Sequence, residues 1–254
     1  MNNITTTTDL LQVQRYASRA AMGAAAASIA ADKIIQLLAA KESVNIIFAA
    51  APSQNEFLSA LVAHTGIDWQ RVRAFHMDEY VGLPASAPQG FGNFLKERIF
   101  GKLPFAAVHY INGNAADLPA ECSRYAALLE QYPADIVHMG IGENAHIAFN
   151  DPHVADFNDP LLVKVVELDE ACRRQQVNDG CFATLEAVPV HAVTLTVPAL
   201  MKAAFIYCMV PGEKKAAAVY HTLHDAIQEK YPSTILRTHA AAVLFIDEDS
   251  AAQL

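Results

Sequence analysis

The sequence predicts an α/β fold: a single-domain, three-layer sandwich with a mostly parallel, Rossmann-like central sheet. Short apolar runs, typical of strands covered on both faces, alternate with helical patterns from one end of the chain to the other. The chain has 254 residues, which is long enough to bury a large core without metals or disulfides. Proline and glycine are scattered and no repeat or linker marks a boundary, so residues 1–254 are interpreted as one domain.

The first helix is predicted from about Asp9 to Ala40, because apolar residues recur there at helical spacing. Gly23 weakens the case for one unbroken helix. The segment Ala20–Ala31 is almost all alanine and is too short for a membrane span. Alanine favours helix but contributes little transfer free energy, so this segment indicates a closely packed helix.

A buried strand and a second helix follow. The continuous apolar run Val44–Ala51 is typical of a strand with both faces covered, and Pro52 ends it. Ser53 and Glu56 match the S-x-x-E pattern of a capping box. That pattern predicts a helix running through Val62.

The alternation continues to the C-terminus. Further strands are predicted at Val72–Phe75, Val108–Ile111, Asp135–Gly140, Leu162–Leu168, Ala192–Val197, Ala204–Val210 and Ala242–Ile246. Further helices are predicted at Asn93–Phe100, Pro119–Gln131 and Glu213–Leu223. In such sheets ligands bind outside the carboxyl ends of the strands. Polar residues directly after apolar strands are therefore the candidates for chemistry.

Composition narrows the classes of function. The 18 Lys and Arg residues against 27 Asp and Glu residues give a net charge of −9, which argues against a nucleic-acid or anionic-membrane binder. One small anionic ligand held by local donors stays compatible with that charge. The four cysteines form no C-x-x-C pair, so reduced thiols in a cytoplasmic protein are expected. The N-terminal residues lack the pattern of a signal peptide.

The first candidate stretch is 75–84, where Asp78 and Glu79 follow a predicted strand. A carboxylate at this edge can be partly desolvated, which raises its pKa toward that of a working general base. The alternative is an exposed turn with two solvated acids. The two neighbouring side chains point in different directions, so at most one of them needs to be catalytic.

The second stretch, 139–152, contains a glycine turn followed by His146 and Asp151. A histidine oriented by a carboxylate is suited to proton transfer near neutral pH. The alternative is a structural histidine bonded to a turn carbonyl. The G-x-G turn alone is weak support for nucleotide binding, since the third glycine of that fingerprint is missing.

The third stretch, 210–215, places Gly212 before a predicted helix that starts with two lysines. Free amides at the helix N-terminus, together with Lys215, could hold an anion. The alternative is an ordinary helix start with two solvated lysines. Lysines at a helix N-terminus oppose the helix dipole, and a bound anion would offset that cost.

Together these stretches resemble the glucosamine-6-phosphate deaminase (isomerase) family, which is related to the 6-phosphogluconolactonases. The matching blocks are Met77–Pro84, Asn112–Ala115 with Ala120–Cys122, and Gly140–Gly142 with His146–Asn150. The blocks agree in order and spacing, and the similarity covers most of the chain. The segments DEYVGLP and HIAFN resemble the deaminase branch rather than the lactonase branch.

The resemblance implies an enzyme that opens an amino-sugar phosphate, moves a proton between C1 and C2, and releases ammonia and a ketose phosphate. It implies no cofactor and no metal. Asp78 matches the family's base for the C2 proton, and His146 matches the histidine that assists ring opening. Asp151 stands where the family has Glu, and Lys215 matches a phosphate-holding lysine.

The remaining site residues carried over are binding residues. They are Ser53, Glu79, Gly142, Arg174 and Arg237. The family's phosphate-binding arginine corresponds to the region of Arg173 and Arg174, where Gln176 is an alternative match.

Three departures from the family pattern concern this site. The loop 49–56 lacks the glycines of the family's phosphate loop. Asn144 replaces a catalytic aspartate, and an amide cannot take up a proton as a carboxylate does. Ala145 replaces a glycine, which costs about 1 kcal/mol if φ is positive there. These changes favour an altered substrate over a loss of activity.

Two other functions are carried as alternatives. A lactone hydrolase would use His146 to activate water and would not need a base at Asp78. A non-catalytic sugar-phosphate sensor would bind ligand without turnover, and Asn144 is compatible with it. A small-molecule sugar phosphate is the expected partner, and a homo-oligomer is compatible with the sequence.

Overall fold

The computed structural model describes residues 4–254. The strands are β1 (Ile4–Thr8), β2 (Leu11–Tyr16), β3 (Val44–Phe48), β4 (Val72–His76), β5 (Asp78–Tyr80), β6 (Ala107–His109), β7 (Ile136–Met139), β8 (Val163–Glu167), β9 (His191–Leu195), β10 (Phe205–Val210) and β11 (Ala242–Asp247). The α-helices are α1 (Arg19–Ala40), α2 (Asn55–Ala63), α3 (Phe91–Leu95), α4 (Leu118–Gln131), α5 (Glu170–Asn178), α6 (Val197–Met201) and α7 (Ala216–His224). Short 3₁₀ turns lie at Pro52–Gln54, Trp69–Arg71, Leu185–Ala187, Glu213–Lys215 and Pro232–Thr238, and a π turn at Lys96–Phe100.

Eight strands form the central sheet in the order β1-β2-β11-β10-β7-β3-β4-β6. All neighbouring strands in it are parallel except the β1–β2 pair. Strands β4 and β6 continue on one side of β3, whereas β7 lies on its other side, so the strand order reverses between β3 and β7. The carboxyl ends of these two strands therefore border the crevice where open α/β sheets bind ligands.

The core lies on both faces of this sheet. One apolar cluster contains Ile47, Val137 and Cys208 and packs under α4, α6 and α7. The other contains the alternate residues of the same strands, such as Ile46 and Tyr207, and packs under α1, α2 and α3. Because successive residues of a strand face opposite sides, continuous apolar runs are what this arrangement requires. The predicted three-layer α/β fold is confirmed.

Helix α1 is unbroken through Gly23, which serves close packing. A Cβ added at Gly23 would lie 2.6 Å from Cβ of Glu56 on α2, so only glycine lets the two helices approach this closely. By length and composition alone, the whole helix of 22 residues could cross a membrane. The alanine-rich segment Ala20–Ala31 within it is too short to do so. Its buried residues face α2 and the sheet, and this packing accounts for its apolar composition.

The prediction of helix from Asp9 onward is wrong for residues 9–18. Residues 4–16 form a β-hairpin, and β2 pairs in parallel with β11, with Val13 opposite Leu244. The alternate residues Leu11 and Val13 are buried, which is strand periodicity. Pairing with a strand more than two hundred residues away along the chain overrides the local helical spacing.

The predicted capping box is also wrong. Pro52 begins a 3₁₀ turn, α2 starts at Asn55, and its N-cap residue Gln54 makes no side-chain capping bond. The Glu56 carboxylate instead pairs with Arg19, with 2.7 Å between Oε1 and Nε. The 3₁₀ turn places Ser53 inside the first turn, so its hydroxyl does not cap α2.

A second, smaller sheet carries the predicted strands at 162–168 and 192–197. It has the order β5-β9-β8 and is antiparallel, so these strands are real but do not join the parallel sheet. Its edge strand β5 begins at Asp78, which pairs with Thr194 of β9. Strand β5 and helices α5 and α6 are not predicted from the sequence. Strand β5 thereby fixes the backbone of the first candidate stretch.

Candidate active site

A cavity of about 430 Å³ opens at the reversal of strand order. Loops that follow β3, β4, β7 and β10 line it, together with one face of α5. The lining residues are Arg19, 49–53, Met77, Asp78, Phe91, 140–142, His146, Ala148, Phe149, Gln175, Gln176, Asp179 and 211–215. The structure therefore brings the candidate site residues Ser53, Asp78, Gly142, His146 and Lys215 to a single cavity.

Asp78 lies at the start of β5 and is 5% exposed. Burial raises the pKa of its carboxyl well above the ordinary value, and the neighbouring Glu79 carboxylate raises this pKa further. The β5–β9 pairing holds the backbone at Asp78 in register. A rigidly held carboxyl with a raised pKa has the properties of a general base.

Glu79 points away from this cavity. Its carboxylate accepts hydrogen bonds from the N–H groups of Tyr80, Phe91 and Gly92 at 2.8–3.0 Å. It borders a separate cavity of about 250 Å³ together with Tyr110. Asp78 lines the first cavity and Glu79, predicted as a substrate-binding residue, does not; Glu79 orders the turn into α3.

His146 lies flat against Gly142. A Cβ at Gly142 would overlap the ring atoms Cε1, Nε2 and Nδ1 of His146, so glycine is the only residue that this ring position permits. The Gly142 N–H also donates to the carbonyl of His146 at 2.9 Å. Gly142 thus sets the plane of the imidazole.

Two side chains behind the ring hold its Nδ1 atom. Nδ1 lies 3.0 Å from Oδ1 of Asp151 and 2.7 Å from Oδ1 of Asn144. The Asn144 amide donates to Oδ1 of Asp151 at 3.0 Å and to Oδ2 of Asp169 at 3.1 Å. Both oxygens around Nδ1 act as acceptors, which favours a proton on Nδ1 and leaves Nε2 free to accept one.

Asp151 is fully buried. Burial alone would raise the pKa of its carboxyl, but hydrogen bonds and charge from His146, with hydrogen bonds from Asn144 and the Asp169 N–H, lower that pKa below the ordinary value. Asp151 is therefore an ionised orienting group. Asn144 and Asp151 lie behind His146 and do not line the cavity.

The turn that carries His146 is strained. Ala145 has a φ of 66° and Ala148 a φ of 49°, in the left-handed region that disfavours residues with a Cβ. The positive φ that would make alanine unfavourable at position 145 is therefore present. The carbonyl of Ala145 accepts from the Ser233 N–H at 2.9 Å, which anchors the turn to the segment 232–238. Such strain is typical of positions that hold functional groups in place.

Another part of the cavity carries the lysines, and we call it the lysine side. It is lined by Gln176, Asp179, Glu213, Lys214 and Lys215. Lys215 is 8% exposed, and burial lowers the pKa of its ammonium group, although the carboxylates of Asp179 and Glu143 act in the opposite direction. The backbone N–H groups of the Glu213–Lys215 turn add a partial positive charge, although those of Lys215 and Ala216 already donate to the carbonyls of Gly212 and Glu213.

The two arginines predicted to bind the anion do not line the cavity. Arg174 is exposed on α5 and pairs with Glu170, one helical turn earlier. Arg237 pairs with Asp9, with 2.7 Å between Nε and Oδ2, and donates to the carbonyl of Asp225. Arg173 donates to the carbonyls of Leu185 and Val188. All three therefore serve local structure.

Sequence reasoning missed several lining residues. Arg19 begins α1 and reaches the cavity from a distant part of the chain, where no local pattern marks it. Gln175 accepts from the Glu143 N–H at 2.7 Å and joins α5 to the turn before His146. Gln176, which sequence reasoning gave as an alternative to the arginines, does line the cavity. The missed helix α5 explains why the face of this segment was not assigned.

Among the described residues 4–254, two groups of side chains have metal-ligand spacing, and the fully buried one lies behind the cavity. Ligand atoms of His146, Asp151 and Cys172 lie within 4.8 Å of one another, and all three residues are buried. The imidazole and carboxylate already bond to each other, and burial raises the pKa of the Cys172 thiol well above its ordinary value. A metal would have to displace the hydrogen bonds that orient His146.

The fold and site define a three-layer α/β protein with a carboxyl group and an oriented imidazole at the carboxyl edge of a parallel sheet. The chain belongs to the family described as glucosamine-6-phosphate isomerases/6-phosphogluconolactonase, whose family model matches residues 17–245.

Named relatives agree with this assignment. Proteins called glucosamine-6-phosphate deaminase from Bacillus thuringiensis (strain Al Hakam) and Bacillus cereus (strain AH820) are each 39% identical over 184 residues, covering 72% of this chain and 68% of theirs. The structure of a monomeric glucosamine-6-phosphate deaminase superposes with a TM-score of 0.87 at 28% identity, covering 95% of this chain and 99% of that one. A 6-phosphogluconolactonase from Thermotoga maritima has a TM-score of 0.76 at 19% identity, covering 93% and 99%, which is a likeness of fold.

Proposed function

We propose that this protein is an amino-sugar-phosphate deaminase and isomerase, with glucosamine 6-phosphate as the first substrate to test. The observation that carries the proposal is that Asp78 and His146 line one cavity, with the imidazole oriented from behind by Asp151. The relatives named above, at 39% identity, support the same reaction.

Ring opening is assigned to His146. A cyclic amino sugar opens when a proton leaves the anomeric hydroxyl and another reaches the ring oxygen. Because Asp151 and Asn144 hold Nδ1, Nε2 is the nitrogen that faces a ligand. An imidazole can both accept and return a proton near neutral pH, so one group can serve both transfers.

Proton transfer between carbons is assigned to Asp78. In the open aldehyde form the hydrogen on C2 is acidified by the carbonyl, and a carboxylate can remove it. Returning that proton to C1 converts the 2-amino aldose into a 2-imino ketose, and water then releases ammonia and leaves a ketose phosphate. Burial raises the pKa of Asp78, which strengthens the carboxylate as a base toward carbon.

The anionic group of the substrate is assigned to the lysine side, with Ser53 and the turn amides before α7 as further donors. The Ala49–Ser53 loop retains a helix start but has no glycine, so this chain approaches the anion differently from the glycine-rich loop expected of the family. Substrate binding there fixes the sugar while Asp78 and His146 act on C1, C2 and the ring oxygen.

The test is ammonia release from glucosamine 6-phosphate, with galactosamine 6-phosphate in parallel. We expect multiple turnovers with equal yields of ammonia and ketose phosphate. If no amino-sugar phosphate yields ammonia, the proposal fails. Hydrolysis of 6-phosphogluconolactone that survives the Asp78→Asn change would support a lactone hydrolase, whereas tight binding without turnover would support a sensor.

A further inference from the structure

The charges on the lysine side are balanced rather than positive. Lys214 and Lys215 line it, but so do the carboxylates of Asp179 and Glu213. The Lys214 ammonium is also turned toward α5, where it donates to the carbonyl of Asn178 at 3.1 Å. A doubly charged group would therefore meet little net positive field from side chains, although a singly charged one could still pair with Lys215.

The arginine that lines the cavity does not change this balance. Arg19 forms an ion pair with Glu56, with 2.7 Å between Nε and Oε1, and its Nη2 donates to Oε2 of Glu56 and to the carbonyl of Pro52, both at 2.9 Å. A guanidinium paired with a carboxylate in this way has its charge largely offset. Lys215 is thus the main buried cation available to a ligand at the lysine side.

Gln176 is an unpartnered polar side chain of this region. It is 9% exposed, lines the cavity, and makes no side-chain hydrogen bond within residues 4–254. Its neighbour Gln175, in contrast, is bonded to the Glu143 N–H. A buried amide without a protein partner costs free energy unless a ligand satisfies it.

A carboxamide offers both a donor and an acceptor, whereas arginine and lysine offer donors alone. A monoprotonated phosphate ester has an O–H that can donate to Oε1 of Gln176, and oxygens that can accept from its Nε2. A phosphate dianion has no such hydrogen, so its oxygens would be repelled by the lone pairs of Oε1.

We propose that the lysine side selects a singly charged oxyanion over a doubly charged one, and that Gln176 sets this preference. The chemical class is a monoprotonated phosphate ester or a carboxylate on the far end of the sugar. The inference rests on the proposed function, because it concerns the anionic group of the same substrate.

The test is calorimetric binding of two unreactive probes, glucitol 6-phosphate and gluconate, at about pH 5.5 and about pH 8. The second pKa of a phosphate ester is about 6, so the monoanion falls from about three quarters of the ester to about one hundredth between these values. Gluconate stays singly charged over the same range because carboxyl groups ionise near pH 4.

Gluconate is also the control for titration of the protein. The ionisable groups that line this cavity or act on Lys215 are Arg19, Asp78, Glu143, His146, Cys172, Asp179, Glu213, Lys214 and Lys215. Any change in their charge affects both probes. The ratio of the two dissociation constants therefore isolates the protonation state of the phosphate.

We expect the dissociation constant of glucitol 6-phosphate to rise about tenfold or more from the lower to the higher pH, relative to gluconate. Gln176→Arg should remove this pH dependence and tighten binding of the dianion about tenfold, because it adds a cation and removes the acceptor. Gln176→Met keeps the side-chain length but removes the amide, so it should weaken binding of both probes and abolish the preference for the monoanion.

Three results would overturn the inference: equal relative affinities at both pH values, an unchanged pattern in Gln176→Arg, or no binding of either probe to the folded wild-type protein. Each is independent of ammonia release. If deamination is normal but binding shows no pH preference, this inference is wrong and the proposed function stands. If binding shows the pH preference but no amino-sugar phosphate is deaminated, the proposed function is wrong and this inference stands. Tighter binding of gluconate than of the phosphate probe at both pH values would identify a carboxylate as the anionic group that the lysine side binds.

Discussion

The two working parts of the cavity are built in different ways. Behind the ring of His146, Asp151, Asn144 and Asp169 form a set of hydrogen bonds that holds Nδ1. At the lysine side, the Gln176 side chain has no hydrogen-bond partner among the described residues 4–254, and the charges of lysines and carboxylates balance. The proton-transfer groups are therefore preorganised before substrate arrives, whereas the anion site is completed by the ligand.

This contrast indicates where the chain can change its substrate without losing its chemistry. The imidazole depends on a fixed ring plane and a fixed Nδ1 proton, and several residues enforce both. The lysine side depends on few side chains, so one substitution can alter the group it binds. The following predictions test the contrast, from the largest expected effect to the smallest.

The largest effect is expected for Asp78→Asn. An amide cannot remove the C2 proton, so kcat for ammonia release should fall about 10²–10⁴-fold while KM changes little. Steady-state kinetics measures both values. Asp249→Asn, at an exposed position that does not line the cavity, is the matched control and should leave kcat unchanged. A near-normal kcat in Asp78→Asn would remove the carboxyl group from the mechanism.

Gly142→Ala tests the preorganised ring. The added Cβ overlaps the His146 imidazole, so the ring must move away from Asp151 or the turn must shift. A misplacement of about 1 Å costs about 10²-fold in rate, and we expect a loss of kcat of that order. A thermal unfolding curve reports whether the variant is folded. An unchanged kcat in the folded variant would show that the ring plane is not set by Gly142.

Asn144→Leu tests the amide that, together with Asp151, holds Nδ1 of His146. The change removes one acceptor at 2.7 Å and the amide that bonds Asp151 and Asp169. We expect kcat to fall about tenfold with KM nearly unchanged, because the residue positions the imidazole and does not contact the substrate. Asn144→Asp retains an acceptor and should recover most of the loss. A change in KM alone would assign Asn144 to binding instead.

The smallest effect concerns stability. Because the pKa of Asp78 in the folded protein lies above the unfolded value of about 3.9, folding stability decreases as pH rises from that value through the folded pKa. Asp78→Asn removes this cost, so its melting temperature should exceed that of wild type above the folded pKa. The difference should vanish near about pH 4.

Each kcal/mol corresponds to about 2–4 °C for a chain of this size. Calorimetric melting across pH measures the difference, again with Asp249→Asn as control. A lower melting temperature in Asp78→Asn than in wild type at high pH would contradict the raised pKa.

The parallel sheet could be predicted because several of its inner strands are dominated by apolar residues, as at Val44–Phe48 and Phe205–Val210. The N-terminal hairpin could not be predicted, because the spacing of Leu10, Val13 and Ala17 suits a helix. Only pairing with β11 makes this segment a strand. Short β5 was missed because three residues are too few for a periodic pattern.

The site followed from the rule that ligands bind at the carboxyl ends of strands, which led to Asp78 and His146. The arginines could not be placed in the same way. Arg174 and Gln176 are two residues apart on one helix and therefore point in different directions, and only the unpredicted α5 shows which of them faces the cavity. Arg19 gave no local signal, since its approach depends on the close packing of α1 on α2 at Gly23.

The most direct test of the central claim follows the hydrogen on C2. Glucosamine 6-phosphate deuterated at C2 is incubated with wild type and with Asp78→Asn, and NMR follows the loss of deuterium from that carbon. The account predicts loss at the rate of ammonia release in wild type, and a rate about 10²–10⁴-fold lower in the variant. Equal rates of deuterium loss in the two proteins would contradict it.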